Sequence, residues 1–354
     1  MWKRIPALII GDMRELEATE LKREFPKDND DRAVSAAQLL DMTDPGTRQK
    51  WEFRVPGTEL HIPCTLIRGK TAGEFIVLSA GVHSREYIGI QALCELAGEL
   101  DPEKIAGSIF ILHCCNYEGF ICRSADVVPE DGKNLNRCFP GNPEGSATER
   151  LASSLEEKIY PAADYLVDLH SGGFCESLIP HVYFQGTASA EVCAASRRMA
   201  ELTSASLLVR SEAENGFYSW AGQCGVPAII LERGGCGLVV REEIEADKRD
   251  VMNILRGLGF LRDTAPVQLS EHIVIRDAYY ENSPGSGCWY PKKAVGERVK
   301  KGEQLGEIRD FYGNLLQIVT AKSEGRVLYQ TVSLGIEEGT PMLPTQMNGF
   351  HLNR

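Results

Sequence analysis

The stretch Glu74-Phe-Ile-Val-Leu-Ser-Ala-Gly81-Val-His83-Ser-Arg-Glu86 decides how this chain is read. Its first seven residues form a short apolar run, as in a strand buried on both faces. Gly81 then permits a tight bend off that strand. His83 and Glu86 follow three residues apart, a spacing that puts both side chains on one side of the first turn of a helix. Residues 88–100 carry Ile90, Leu93, Leu96, Ala97 and Leu100 at helical spacing, so a helix is expected next. The pattern recurs further on. Residues 108–114, 165–169 and 228–231 read as buried strands, and 147–162, 188–203 and 239–258 read as helices. Alternating strands and helices predict an α/β fold with a largely parallel sheet. His170 and Glu232 stand where the second and third of these strands end, which is where open α/β sheets place their sites.

His83, Glu86 and His170, the last within Asp168-Leu-His-Ser-Gly-Gly173, supply two imidazoles and a carboxylate. That donor set makes a mononuclear zinc site with one position left for water. Zinc in such a setting lowers the pKa of bound water to about 7 and polarises a carbonyl. Glu232, in Ile230-Leu-Glu-Arg-Gly-Gly235, offers a further carboxylate to take and return the proton. The combination reads as hydrolysis of an amide or ester. Plainer readings stand beside each part. His-x-x-Glu is most often a surface pair, His170 a satisfied histidine at a strand end, and Glu232 an ion-pair partner of Arg233. Against these, a carboxylate at a buried strand end is costly unless paired or put to use. Asp168 is also well placed to accept the second N–H of His170.

Between these motifs lie Arg123, in 116–123, and Asn136-Arg137, in a loop rich in Gly, Pro and Asn over 131–141. A guanidinium binds a carboxylate through two parallel bonds or steadies developing oxyanion charge. The remaining histidines have no comparable company. Gly234-Gly-Cys-Gly237 lacks the Lys-Ser/Thr of a phosphate loop, and neither Cys138 nor Cys175 has the partners of a nucleophilic thiol.

Apolar residues make up 43% and charged residues 25% of the 354, which are ordinary globular values. A net charge of −12 disfavours nucleic-acid phosphates as a partner but leaves room for a small anionic substrate beside a buried arginine. Eleven cysteines, an odd number with no C-x-x-C pair, predict reduced thiols. With no export signal at the N-terminus, a cytoplasmic location is expected. No apolar run reaches the roughly 18 residues of a membrane span. Residues 1–50 are polar and charge-rich and read as an N-terminal extension with short helices. Residues 51–265 hold the motifs and read as the catalytic α/β domain. Residues 266–354, rich in glycine and short β-branched runs, read as a small all-β domain.

Four motifs now stand in order: 81–86, Asn134-Leu-Asn-Arg-Cys-Phe-Pro-Gly141, 168–173 and 230–235. Together they resemble the succinylglutamate desuccinylase/aspartoacylase family, relatives of the zinc carboxypeptidases, over roughly residues 70–354. The resemblance implies a carboxypeptidase-like mixed sheet flanked by helices, followed by a small β-barrel-like domain. It implies one zinc held by His83, Glu86 and His170, with Glu232 as general base and acid. Arg123 falls where the family's carbonyl-polarising arginine stands, and Asn136 and Arg137 where the pair gripping the substrate carboxylate stands. Two positions depart from the pattern: Asn134 replaces the usual acidic residue, and Arg233 a small or apolar one. The expected activity is removal of an acyl group from an N-acyl amino acid or similar small amide. A metallocarboxypeptidase acting on peptides is the alternative, and a binding protein that kept the fold without activity is a third reading. The oligomeric state is left open, a homo-oligomer included.

Overall fold

The computed structural model describes residues 34–124, 126–261, 271–276, 278–346 and 350–351. The short helices expected over residues 1–50 therefore lie, for residues 1–33, outside the described part. From Ala36 that segment is structural: helix α1 (Ala36–Met42) starts in a capping box between Ser35 and Gln38 and buries Ala36 and Leu39.

Further along come strands β1 (Thr47–Arg54), β2 (His61–Arg68) and β3 (Thr71–Ala80), then helix α2 (Tyr87–Glu99) and strand β4 (Ala106–Leu112). Helices α3 (Tyr117–Cys122) and α4 (Ala147–Ile159) precede strands β5 (Tyr165–His170), β6 (Glu176–Leu178) and β7 (His181–Gln185). Helix α5 (Ala190–Ala200), strand β8 (Leu207–Ser211), helix α6 (Phe217–Gln223), strand β9 (Ala228–Glu232), helix α7 (Arg241–Gly257) and strand β10 (Ile273–Ile275) follow.

One ten-stranded sheet runs β1-β2-β4-β3-β5-β9-β7-β8-β10 and ends on the short strand Phe350–His351. Its middle, β4-β3-β5-β9, is parallel. The expectation of a largely parallel sheet needs correcting at the flanks, because β1 against β2, β2 against β4 and β7 against β9 are antiparallel. The turn between β1 and β2, closed by Val55 N–H to the Leu60 carbonyl, is too short for the crossover that parallel pairing requires.

Both faces of the sheet are covered. On β3, Ile76 and Leu78 pack into one apolar cluster with Leu93 and Leu96 of α2 and Val251 of α7. The alternate residues Phe75 and Val77 pack into the other, with Leu151 of α4, Phe217 of α6 and Leu39 of α1. This two-sided burial is why β3 reads as an uninterrupted apolar run. No helix among the described residues is long and apolar enough to cross a membrane, and all eleven cysteines are free.

The C-terminal region is all-β, in two four-stranded sheets. One comprises Ala278–Asn282, Pro341–Gln346, Gly325–Val327 and Arg298–Val299; the other Leu315–Thr320, Gln304–Arg309, Gly287–Pro291 and Gly335–Ile336. Trp289, Leu305, Ile308 and Val327 form their own core. Strand Tyr329–Thr331 pairs with β6, which ties this region to the edge of the motif-bearing part.

Candidate active site

Gly81 leaves β3 at φ 66°, and a Cβ there would come within 2.7 Å of Cys114 Sγ, so the bend needs glycine. The chain then turns, with Glu86 N–H donating to the His83 carbonyl, before α2 begins at Tyr87. His83 and Glu86 thus occupy the turn ahead of the helix, with Glu86 as its N-cap residue, and not the expected first helical turn. The turn still brings them together: His83 Nδ1 is 2.8 Å from Glu86 Oε1.

Two strands away in sequence but adjacent in space, β5 delivers His170. Its Nδ1 is 2.8 Å from Glu86 Oε2, and its Nε2 donates to Asp168 Oδ2 at 2.8 Å. Asp168 is fully buried, and its Oδ1 accepts from Ser79 Oγ at 2.7 Å. One donor atom from each of His83, Glu86 and His170 lies within 4.8 Å of the other two. Burial opposes charge on this cluster. Even so, Asp168 and Glu86 raise the His170 pKa well above its usual value. The two imidazoles, led by His83, pull Glu86 down to about 2.

Parallel pairing of β5 with β9 sets Glu232 directly beside His170. Burial, reinforced by the carboxylates of Glu86, Glu176 and Asp168, pushes the Glu232 pKa well above the usual range, with His170 opposing. The ion pair with Arg233 considered from the sequence does not form. Arg233 instead bonds Asp250 at 2.6 Å and Ser204 at 2.8 Å, and lies 3.5 Å from Asp247 and 3.7 Å from Glu243.

A cavity of about 520 Å³ opens over this cluster, and His83, Glu86, His170, Glu232, Asn136 and Arg137 all line it. Asn136 Oδ1 accepts from Phe217 N–H at 2.9 Å, which fixes the orientation of its side-chain amide. Arg137 donates to the Asn136 carbonyl at 2.8 Å and has no carboxylate partner among the described residues. Asn134 also lines the cavity, while its Oδ1 accepts from Asn136 N–H.

The structure does not place Arg123 on the described cavity wall. That residue caps the end of α3 in a left-handed conformation, φ 55°, and its side chain is exposed. Its backbone carbonyl accepts from Arg85. Spacing along the chain does not reveal such a reversal.

The cavity also holds Asp126, Glu176 and His181, which the motif reading passed over. Burial, with the carboxylates of Glu86 and Asp126, raises Glu176 to about 7. Burial lowers His181 to about 4. Tyr329 and Pro341 of the C-terminal strands complete the wall.

With this geometry established, comparison with known proteins adds four findings. A family model described as succinylglutamate desuccinylase/aspartoacylase catalytic domain matches residues 72–258. The chain is 29% identical over 257 residues to an N-alpha-acetyl-L-2,4-diaminobutyric acid deacetylase of Halomonas elongata, covering 71% of this chain and 74% of that protein. Among solved structures, it is similar to a succinylglutamate desuccinylase/aspartoacylase from Rhodobacter sphaeroides, with TM-score 0.76 and 28% identity over 86% of this chain and 97% of that one. It is also similar to the product-bound ectoine utilization protein EutE (DoeB) from Ruegeria pomeroyi, with TM-score 0.79 and 25% identity over 86% and 97% of the two chains.

Proposed function

The chain belongs to the succinylglutamate desuccinylase/aspartoacylase family, and on that premise we propose that it is a zinc-dependent amidohydrolase removing the acyl group from an N-acyl amino acid. One observation carries the reading: His83, Glu86 and His170 converge to within 4.8 Å, and Glu232 lies beside His170 on the next strand. Two imidazole nitrogens and a carboxylate suit zinc. The Asp168 bond keeps a proton on His170 Nε2, so Nδ1, which faces Glu86, is the atom that would bind metal. Zinc bound there supplies a Lewis acid for the scissile carbonyl and makes water acidic enough to ionise near neutral pH.

The remaining steps belong to the chain. Glu232 takes a proton from the attacking water and delivers it to the amide nitrogen as the C–N bond breaks. Arg137 pairs with the substrate carboxylate through parallel hydrogen bonds, and the anchored amide of Asn136 lies next to it. No part at the carbonyl is assigned to Arg123.

Substrate size and charge follow from the wall. Tyr329 and Pro341 close one side of the cavity, which favours a small amide over a peptide. Among the described lining residues, Glu86, Asp126, Glu176 and Glu232 are acidic, and Arg137 is the one Lys or Arg. Of these carboxylates, Asp126 and Glu176 are neither proposed metal ligands nor the proton carrier, and they are left to face a cationic group on the substrate. We therefore read the preferred substrate as one that also carries a positive charge, as N-acetyl-2,4-diaminobutyrate does. A cytoplasmic setting is part of this proposal, supported by eleven unpaired cysteines.

The test is a panel of N-acetyl amino acids with cationic, neutral and anionic side chains beside short peptides, assayed with zinc-loaded and chelated protein. Hydrolysis of the acylated amino acids, lost on chelation and restored by zinc, is expected, with the cationic members fastest. Turnover of peptides only would establish the carboxypeptidase alternative, and no turnover of any member the binding-protein one.

A further inference from the structure

We propose that His181 is a substrate-binding residue whose Nε2 accepts a hydrogen bond from the N–H of the scissile amide, turning the nitrogen lone pair towards Glu232. The assignment rests on the deacylase reading above.

Register places the ring. β7 runs antiparallel to β9 with His181 opposite Glu232, and β5 runs parallel to β9 with His170 opposite the same glutamate. Directly paired residues share a face of the sheet, with Cβ atoms about 5 Å apart. His170, Glu232 and His181 therefore form a row across three adjacent strands, and all three line the cavity. In that row a metal donor comes first and the proton carrier second, and His181 is third.

The tautomer follows from one contact. His181 Nδ1 lies 2.8 Å from the Ile179 carbonyl, which can only accept, so the proton sits on Nδ1 and Nε2 presents a lone pair. Burial lowers the ring's pKa to about 4, so it is neutral near pH 7. Tyr183 packs edge-on against it, with ring centroids 4.9 Å apart. Nε2 itself is buried without a hydrogen-bond partner. A buried acceptor left unpaired is unfavourable, and on a residue that lines a binding cavity it calls for a donor from the ligand.

The reaction supplies that donor at the right place. A secondary amide carries one N–H on the nitrogen that Glu232 must protonate. With the N–H directed to His181, the nitrogen's electron pair is directed to the neighbouring carboxyl group once the carbonyl carbon becomes tetrahedral. Glu232 then gives up its proton to that pair, the C–N bond breaks, and the amine leaves. His181 keeps its lone pair and its Nδ1 proton throughout. An ester has no N–H and gains nothing from this contact.

The test compares an N-acyl amino acid with the matching O-acyl hydroxy acid in wild type, His181→Phe and His181→Leu, two apolar replacements of different volume. Zinc content and circular dichroism are checked for each. Amide kcat/KM is expected to fall about 10–100-fold and ester kcat/KM to stay within about threefold. In the wild-type enzyme, methylating the scissile nitrogen is expected to lower kcat/KM at least about tenfold. Equal losses on amide and ester, no loss on the amide, or full activity on the methylated amide would overturn the assignment. A zinc-loaded wild type that cleaves neither amide nor ester would instead sink the deacylase reading, and this assignment with it.

Discussion

Replacing Asp168 by Asn removes a charge from the proposed metal site while keeping its shape. Asp168 is fully buried, and each oxygen has one job: Oδ2 accepts from His170 Nε2 at 2.8 Å and Oδ1 from Ser79 Oγ at 2.7 Å. Asparagine offers one acceptor oxygen. If that oxygen serves Ser79, the amide NH2 faces Nε2, the imidazole proton moves to Nδ1, and the metal-binding lone pair is lost. If it serves His170, the Ser79 hydroxyl loses its acceptor. Either way one charge-assisted hydrogen bond disappears, worth about 1.5–3 kcal/mol. Loss of such an outer partner lowers metal affinity about 10–100-fold, or about 1.4–2.7 kcal/mol, so the two routes agree. Removing a buried charge relieves desolvation, so the metal-free protein should change less in stability than in zinc affinity. Competition against a zinc-selective indicator, with folding followed by circular dichroism, measures the effect. Unchanged zinc affinity in a folded Asp168→Asn protein would refute the tautomer argument.

Three further outcomes are expected. Arg137→Ala should raise KM for carboxylate-bearing substrates about 10–100-fold, more than it lowers kcat, in steady-state assays. Arg233→Met should destabilise by about 3–5 kcal/mol, because it leaves Asp250 and Asp247 buried without their cation. Its kcat/KM should stay near wild type, since Arg233 is not part of the described cavity wall, and urea denaturation with kinetics on the folded fraction separates the two effects. His113, mostly buried, is lowered by that burial, with Lys50 adding, to about 4. The unfolded chain therefore binds more protons between that value and its ordinary pKa of about 6.5. Stability from this group is complete above about pH 6.5 and falls as pH drops towards 4, by about 2 kcal/mol at pH 5. His113→Gln should reduce the loss of stability between pH 7 and pH 5 by that amount, and equal pH slopes in the two proteins would contradict it.

The strands that carry the site were legible because burial on both faces leaves an unbroken apolar run, as in Phe75 to Leu78, ending at the first group that needs polarity. His83, Glu86, His170, Glu232, Asn136 and Arg137, all on the wall of one cavity, were singled out that way and from their order along the chain. Arg123 stands apart from them: it closes α3 in a left-handed conformation that no glycine announces, and its side chain is exposed. His181 could not be found by spacing. Its significance comes from the antiparallel pairing of β7 with β9, a contact between segments distant in sequence, and from an Nδ1 bond to its own loop. Glu176 belongs to a three-residue strand whose partner, Tyr329–Thr331, comes from the C-terminal region. The antiparallel flanks were missed because periodicity reports burial and not strand direction.

Hydrolysis of an N-acyl amino acid by zinc-loaded Glu232→Gln tests the central claim most directly. The account predicts that the variant retains about one zinc per chain, as a three-ligand catalytic site should, and loses about 10²–10⁴-fold in turnover. A variant with full zinc and near-wild-type turnover would show that Glu232 does not carry the proton, and would contradict the mechanism built on its place beside His170.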